Sequence, residues 1–398
     1  MTVAWFIHAT RLTASARLQG FLIHEALRGM GVRSRILLAP PVWTTRLPWR
    51  DDMLEQVADS VEADVAVFQK ISDPRLGAVI RRLRERGVRT VYVQCDFHPD
   101  SRLPFLCDHV VVPSTELFRF YAERSAACTL IPDPIELQVS RDAIGWRRIS
   151  HGASEKPLTL VWVGHRTNWE DLQQVQPVLA AAGGRRYRLV TVSDHPGATF
   201  RWRPGSVKRH VLGGDVGIVP TLGGPRKEMK SHNRVTLFMA LGLPVVGGDI
   251  PAYREVIEHG RTGYLAATAE DWRRALEALA DPSHRRQVAL LAYDEIVPRF
   301  SLTAVAQQWK SMLDAVCKPG GAAAATGSLG RRGSDGWAPV ALAAWLHYTL
   351  FAFKSRQRGP ALRSALHAVT VAALRPRLWG YLARRLSWQL RRDRVRDS

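Results

Sequence analysis

The sequence predicts an α/β protein with two doubly wound, Rossmann-like domains that face a cleft, followed by a basic amphipathic helical tail. Short apolar runs alternate with helical patterns in both halves of the chain, as parallel sheets with crossover helices require. A polar bridge at residues 138–156 separates the two series. At 398 residues the chain is long enough for two ordinary domains and an appendage.

These patterns divide the chain into four parts. We expect a first Rossmann-like domain at residues 1–140, a second at 156–317, a Gly- and Ala-rich linker at 318–336 and the tail at 337–398. In the first domain the expected strands are residues 3–7, 34–38, 64–68, 88–93 and 109–112, and the expected helices are 18–28, 74–86 and 115–122. Their alternation predicts a single doubly wound sheet.

The second domain starts again with apolar runs. Its expected strands are residues 158–163, 188–192, 216–219 and 245–246, and its last expected helix is 302–316. Gly242 ends the helix before the strand at 245–246, and Pro244 prevents its continuation. A strand this short and apolar is typical of a sheet that is buried on both faces.

The most informative loop opens the helix that ends at Leu241. Ser231 can cap this helix, and Lys230 and Arg234 place two positive charges where the helix dipole is also positive. Two cations beside the free N–H groups of a helix start favour an anion. The sequence therefore predicts an anion site at this loop.

Five short motifs give the same region a family resemblance. They are Asp-x-Gly-Ile-x-Pro at 215–220, Lys-Ser-x-Asn-Arg at 230–234, Gly-x-Pro-Val-Val at 242–246, Pro-x-Tyr-x-Glu-Val-Ile at 251–257 and Gly-x-x-Gly-Tyr-Leu at 260–265. In order and spacing they resemble the carboxy-terminal domain of GT-B glycosyltransferases, specifically the family-4-like group (glycosyltransferase group 1) of bacterial polysaccharide and lipopolysaccharide assembly. The resemblance extends more weakly over the residues before 215.

The resemblance implies a nucleotide-sugar donor bound by the second domain. The donor-binding residues that it implies are Gly164, His165, Arg166, Lys230, Ser231, Asn233, Arg234, Tyr253 and Glu255. Lys230 and Arg234 would bind the diphosphate, and Glu255 would contact the ribose. The sequence departs from the family at its Glu-x7-Glu motif, which would fall at Met229 and Leu237, neither of them acidic.

Four of these positions have simpler explanations. A turn alone accounts for residues 164–168, because Gly-x-x-x-Asn is not a specific pattern. Glu255 is expected in the first turn of the helix opened by Pro251, where the helix dipole favours an acidic side chain without any ligand.

Two loops of the first domain follow strands at the sheet edge where doubly wound proteins bind ligands. Ser15 and Arg17 are expected to face the cleft, near the donor phosphates or the acceptor according to the resemblance. Asp96 and His98 are the candidate catalytic residues, which would orient or deprotonate an acceptor hydroxyl. The alternatives are that Ser15 caps a helix with Arg17 in solvent, and that Asp96 caps its loop beside a solvated His98.

The resemblance implies no bound metal and no cofactor beyond the nucleotide-sugar substrate. The sequence agrees, since it contains no Asp-x-Asp triplet and no cluster of His or Cys ligands. Its four cysteines form no Cys-x-x-Cys pair, which favours a reduced cytosolic compartment. Residues 1–9 lack a basic n-region, so we expect a first strand there and not a signal peptide.

Positive charge concentrates at the end of the chain. Residues 331–398 hold 14 Lys and Arg against 3 Asp and Glu, within a formal net charge of +20. Residues 337–353 carry no charge but are shorter than a membrane span of about 20 residues. Helical patterns at 361–374 and 377–390 combine an apolar face with arginines, which is typical of helices that lie on anionic membranes. The alternative is a helix that covers the two-domain body; nucleic-acid binding is not expected, because no nucleic-acid module accompanies the charge.

The sequence therefore predicts a cytoplasmic, hexosyltransferase-like glycosyltransferase, peripheral on the inner face of the cytoplasmic membrane. It would move a sugar from a nucleotide-sugar donor to a lipid-linked or glycan acceptor in cell-surface polysaccharide biosynthesis. The missing glutamates favour an alternative, a catalytically silent GT-B-like scaffold that binds a glycan or a partner. Lys230 and Arg234 argue against it, because a silent site needs no cations. A sugar-nucleotide epimerase stays open as well, since fold does not fix function.

Overall fold

A computed structural model describes residues 1–318 of the chain, except 42, 43, 45, 126, 145–156 and 182–185, together with residue 349. The predicted linker after residue 318 and the predicted tail at 337–398, apart from residue 349, lie outside the described residues. None of the helices within the described ranges combines the length and the apolar character that a membrane crossing needs.

The first half of the chain forms one parallel six-stranded sheet. Its strands are β1 (Thr2–Ile7), β2 (Arg33–Leu38), β3 (Val65–Gln69), β4 (Arg89–Val93), β5 (His109–Val112) and β6 (Cys128–Leu130). They lie in the order β2-β1-β3-β4-β5-β6. The chain therefore changes direction across the sheet between β1 and β3, and a ligand crevice is expected at the carboxyl ends of these two strands.

The second half forms another parallel six-stranded sheet. Its strands are β7 (Leu158–Val163), β8 (Tyr187–Ser193), β9 (Phe200–Arg201), β10 (Val216–Val219), β11 (Val245–Gly248) and β12 (Tyr264–Ala266). Their order is β12-β11-β10-β7-β8-β9, which places the change of direction between β7 and β10. A second crevice is expected at the carboxyl ends of those strands.

Helices connect the strands in both halves. In the first half they are Ala14–Ala16, Leu22–Gly29, Leu54–Asp59, Leu76–Glu85 and Thr115–Ala122, with a π-helical turn at Arg17–Phe21. In the second half they are Gln176–Ala181, Val207–Leu212, Pro225–Glu228, Asn233–Ala240, Pro251–Arg254, Ala269–Ala278, Pro282–Phe300 and Leu302–Cys317. Short 3-10 helices lie at Asp51–Met53, Leu103–Leu106 and Arg166–Gln174. The two-sheet α/β architecture predicted from the sequence is confirmed.

Strand β1 shows why the apolar runs of the sequence are continuous. Val3, Trp5 and Ile7 belong to the core on one face of the first sheet, and Ala4 and Phe6 belong to the core on the other. Successive side chains of a strand point to opposite faces, so a sheet covered on both faces needs apolar residues at every position.

The last described helix, Leu302–Cys317, corrects the predicted division of the chain. The sequence assigned this segment to the second domain, but its buried face packs on the first sheet. The rings of Trp309 and Trp5 lie 5.5 Å apart between centroids. The chain thus crosses between the halves twice, first near Ile135 and again near Phe300. The two crossings lie side by side, since the Ile135 N–H donates to the carbonyl of Phe300 at 2.7 Å. An amphipathic pattern predicts that one face of a helix is buried, but it does not indicate which of the two sheets that face packs on.

The helix Asn233–Ala240 ends at glycine, as predicted. Gly242 has a φ of +74°, in the left-handed region that favours glycine. Its N–H donates to the carbonyl of Met239 at 3.0 Å, and the N–H of Leu243 donates to that of Phe238 at 3.0 Å. These two bonds satisfy carbonyls that the helix end leaves free, and they direct the chain into β11.

Candidate functional site

The two halves contact each other where the carboxyl ends of their strands meet. The Ser114 hydroxyl, in the first half, donates to the carbonyl of Met229 in the second at 2.9 Å. Met229 also packs against the apolar cluster that contains Leu117 and Tyr121. The position where the resembling family carries its first glutamate is therefore an apolar contact between the halves.

Two half-buried cations lie beside this contact, in the segment 227–234, which we call the cationic loop. The Lys230 ammonium donates to Oδ1 of Asn168 at 2.6 Å. Burial, followed by the nearby charge of Arg234, lowers the pKa of Lys230 to about 8. Arg234 donates from Nη2 to the hydroxyl of Tyr253 at 3.2 Å, whereas its Nη1 is buried and has no hydrogen-bond partner among the described residues. The predicted cations thus lie together, and one of them has an unsatisfied donor.

Ser231 does not cap the following helix, so that prediction is wrong. The helix Asn233–Ala240 has His232 at its N-cap and no side-chain cap. The Ser231 hydroxyl instead donates to Oδ2 of Asp133 at 2.6 Å, and the Asn233 amide donates to the same oxygen at 3.2 Å. A buried acceptor has therefore replaced the local cap, and two of the predicted donor-binding side chains contact it.

Asp133 was not predicted as a site residue. It lies at the first crossing between the halves, is 4% exposed, and also accepts from Nε2 of Gln19 at 2.8 Å. Burial raises its pKa, while the bonds from Ser231, Gln19 and Asn233 oppose that rise. Its only local signal is an acidic residue between two prolines, at residues 132–134.

A second unpredicted carboxylate supports the cationic loop. Asp171 is fully buried, pairs with the ammonium of Lys227, and accepts from the N–H of Leu222 at 3.2 Å. It ties the 3-10 helix after β7 to the segment after β10, on either side of the direction change in the second sheet. The cationic loop is thus held from two directions by buried acids.

Tyr253 and Glu255 both have partners within the protein. The buried Tyr253 hydroxyl accepts from Thr221 at 3.3 Å as well as from Arg234. Glu255 is at the C-cap of the helix Pro251–Arg254, so the proposed first-turn dipole effect is wrong for it. Its carboxylate accepts from Thr115 of the first half, and burial raises its pKa. The predicted ribose contact of Glu255 stays a prediction.

Gly164, His165 and Arg166 follow β7 at the direction change of the second sheet. A Cβ at Gly164 would lie 2.4 Å from the ring of Trp162, so packing alone explains this glycine. Nδ1 of His165 accepts from the N–H of Thr167 at 3.3 Å and caps the 3-10 helix. Asp194, after β8, accepts from the Arg166 N–H at 2.7 Å. The exposed side chains of His165 and Arg166 therefore border the crevice, and their donor contacts stay predictions.

Asp96 lies at the opposite side of the cleft and pairs with the ammonium of Lys70. Partial burial raises the pKa of Asp96, but the charge and the hydrogen bond of Lys70 together lower it by more, so the net shift is downward. Burial lowers the pKa of His98. Near pH 7 Asp96 is therefore charged and His98 neutral. Lys70 has a φ of +55°, the one left-handed non-glycine backbone among the described residues, and such strain concentrates at functional sites.

His8, at the end of β1, belongs to the same polar group although it was not predicted. Its Nδ1 lies 2.7 Å from Oε1 of Gln69, while its buried Nε2 has no partner within the described residues. Burial, then the charge of Lys70, lowers its pKa to about 4. Because an amide oxygen accepts, Nδ1 must carry the proton, and Nε2 is left with a lone pair. A histidine directly after the first strand is the signal that could have found it.

Ser15 and Arg17 occupy the loop after β1. Ser15 lies inside the helical segments that begin at Ala14 and continue to Gly29, so the alternative that it caps the helix expected at residues 18–28 is wrong. Arg17 is not in solvent either: its Nε donates to Glu136 at 2.5 Å, and its guanidinium lies 5.2 Å from the ring centroid of Trp202 in the second half. Arg17 therefore bridges the halves at the edge of the cleft.

Within the described ranges, no group of three or more His, Cys, Asp or Glu side chains is arranged to hold a metal ion. The cationic loop lies on one side of the cleft, and the ion pair of Lys70 and Asp96 lies on the other, beside the neutral His8. Lys230 and Arg234 therefore lie across the cleft from His8 and Asp96, which are both able to accept a proton.

Residues 146–281 match the family model described as glycosyl transferases group 1. A comparison with curated protein sequences finds no match. A glycosyltransferase from Rickettsia africae has a TM-score of 0.62 at 10% identity, over 80% of this chain and 99% of that one.

Two further solved structures share the fold. HepE from Anabaena, in complex with UDP-glucose, has a TM-score of 0.61 at 14% identity, over 79% of this chain and 100% of its own. Sucrose-phosphate synthase from Thermosynechococcus elongatus has a TM-score of 0.52 at 14% identity, over 79% of this chain and 99% of its own. These likenesses show a GT-B-like fold. The family match, over residues 146–281, is the finding that points to glycosyl transfer.

Proposed function

We propose that the protein is a glycosyltransferase that moves a sugar from a nucleotide-sugar donor to a lipid-linked or glycan acceptor. The observation that carries the proposal is the pair Lys230 and Arg234. Both are half-buried, neither forms an ion pair with a described residue, and Nη1 of Arg234 has no partner there. A diphosphate would supply the missing negative charge and the missing acceptor.

The two halves would then divide the chemistry. Lys230 and Arg234 would stabilise the charge that develops on the leaving diphosphate, which is the kind of preorganised electrostatics that contributes most to catalysis. Asp96 and His8 face the acceptor side and can both accept a proton near pH 7. Because both pKa values are low, these groups suit orienting an acceptor hydroxyl better than removing its proton completely.

The finer proposal concerns the substrates and the location. We infer a hexosyl donor and an acceptor of cell-surface polysaccharide or lipopolysaccharide biosynthesis, used without a metal or cofactor. The HepE structure contains UDP-glucose, which makes uridine donors the first to test. The basic amphipathic pattern at 337–398 supports a peripheral position on the inner face of the cytoplasmic membrane.

Nucleoside diphosphates are expected to raise the thermal midpoint of the purified protein. A ligand that binds only the folded state stabilises it by about 2.7 kcal/mol at 100 times its Kd. The measurement is a thermal scan with UDP, GDP, ADP and the corresponding nucleotide sugars, followed by product analysis with the donor that binds. Absence of any shift would favour the silent scaffold, and a changed nucleotide sugar without an acceptor would indicate an epimerase.

Deletion of residues 337–398 is expected to release the protein from membranes without changing donor binding. Each cation near an anionic surface contributes about 1 kcal/mol, so the tail's excess of arginines would dominate the association. The measurement is cosedimentation with vesicles that contain anionic lipids, with neutral vesicles as the control. Equal cosedimentation of the full chain and the truncated chain would place the anchor elsewhere.

A further inference from the structure

Asp133 connects three parts of the molecule that are distant in sequence. Its Oδ1 accepts from Gln19, in the π-helical turn of the first half, and its Oδ2 accepts from Ser231 and Asn233 in the second half. It lies on the crossing between the halves and is 4% exposed. A carboxylate this buried stays in place only because its bonds compensate its lost hydration.

The two residues that Asp133 holds in the second half lie between Lys230 and Arg234 of the cationic loop. Ser231 lies between Lys230 and His232, and Asn233 directly precedes Arg234. The short side chains of Ser231 and Asn233 fix the backbone at both positions when they are bonded to one oxygen. The long side chains of Lys230 and Arg234 start from that backbone, so its position decides where their charges lie.

Asp133 is also separate from the cations themselves. Lys230 donates to Asn168, and Arg234 donates to Tyr253, so neither cation is neutralised by Asp133. The carboxylate thus orders the loop without occupying the donors that a diphosphate needs.

We propose that Asp133 is a positioning residue, which holds Ser231 and Asn233 and through them aims Lys230 and Arg234 at the diphosphate of the donor. The inference rests on the proposed function, because it assumes that these cations bind a nucleoside diphosphate. A purely structural role of Asp133 would affect every ligand alike. The positioning role instead means that affinity for the diphosphate depends on Asp133, and that affinity for the nucleoside does not.

The variant Asp133→Asn is expected to keep the arrangement. Its amide oxygen can accept from Ser231 and Asn233, as Oδ2 does now. Its amide nitrogen would then face Gln19, whose Oε1 is buried and has no partner among the described residues. Rotation of the Gln19 amide by 180° would turn that oxygen into the acceptor. Asp133→Ala removes all three bonds and leaves no such solution.

The test is titration calorimetry of the full chain with UDP, GDP and ADP, and with the nucleoside of the one that binds most tightly. Asp133→Ala is expected to weaken diphosphate binding by about tenfold, within the range of coupling between contacting residues, and nucleoside binding by less than about twofold. Asp133→Asn should stay within about threefold of the wild type. In an Arg234→Ala background, Asp133→Ala should add less than about twofold, because the group through which it acts is gone.

Asp73 provides a matched control. It is 6% exposed and bonded to Arg75 and to the N–H of Leu47, which both belong to the first half and not to the cationic loop, so Asp73→Ala should lower the thermal midpoint without changing diphosphate affinity. If Asp133→Ala fails to fold, Ser231→Ala takes its place in the test, because it removes the hydrogen bond that Ser231 donates to Asp133. Unchanged diphosphate affinity in the Asp133→Ala or Ser231→Ala protein, with loss in Arg234→Ala, overturns this inference alone. No diphosphate binding by the wild type overturns the proposed function and the inference with it.

Discussion

Arg234→Ala is expected to lower kcat/KM for sugar transfer by about 100-fold or more. Arg234 has a buried Nη1 without a described partner, and we propose that it stabilises the charge on the leaving diphosphate. Removing one preorganised donor to a developing oxyanion costs enzymes about 10²–10³ in kcat. The measurement is steady-state transfer with the donor identified by binding, under saturating acceptor.

Arg274→Ala is the matched control for this substitution. Arg274 is exposed on the helix Ala269–Ala278, where it pairs with Glu270, so its loss should leave transfer unchanged. Lys230 adds a pH readout. Its pKa of about 8 means that its charge is present below pH 8 and lost as the pH rises through that value, so donor affinity should fall there. Lys230→Arg should remove this alkaline loss. Equal activity of Arg234→Ala and Arg274→Ala would exclude the proposed diphosphate site.

Trp309→Ala is expected to reduce the free energy of unfolding by about 3–5 kcal/mol, as large-to-small changes of buried aromatic residues do. Trp309 is fully buried against Trp5, on the helix that covers one face of the first sheet. The loss should appear in the unfolding transition of the first half. The measurement is denaturant unfolding followed by fluorescence and by circular dichroism, since two halves need not unfold together.

Gln308→Ala, on the exposed side of the same helix, controls for helix propensity and should change the free energy of unfolding by less than about 0.5 kcal/mol. If Trp309→Ala cost no more than this control, the packing of the helix on the first sheet would be unimportant for stability. Donor binding by the second half should survive in the Trp309→Ala protein at low temperature, because the cationic loop lies elsewhere.

Central strands could be predicted from the sequence because burial on both faces makes them continuous apolar runs. His109–Val112, Leu158–Val163 and Val216–Val219 have the bounds that the sequence predicts. Two strands at sheet edges, β6 and β9, were missed because they are not buried on both faces. Cys128–Leu130 is only half-buried and Phe200–Arg201 is exposed, so neither shows an apolar run.

The residues of the candidate site were likewise predictable only where their signal is local in the sequence. The cations of the cationic loop could be found because a charge at a helix start is a local signal. Asp133 could not, since its partner Ser231 is 98 residues away, and His8 depends on Gln69, 61 residues away. The capping role expected for Ser231 was wrong because a tertiary acceptor competed successfully with the local one.

Because the helix Leu302–Cys317 packs on the first sheet, the core of that sheet is completed only after the second sheet has been translated. Val3 and Trp5 share one face of the first sheet with Trp309 and Leu313, which are translated about 300 residues later. The second sheet is built from contiguous chain, so its strands can pair before translation reaches that helix. Until then Phe21, Ile23 and Leu27 can cover only their own part of this face, so the nascent first half keeps the apolar surface that Trp309 and Leu313 later bury.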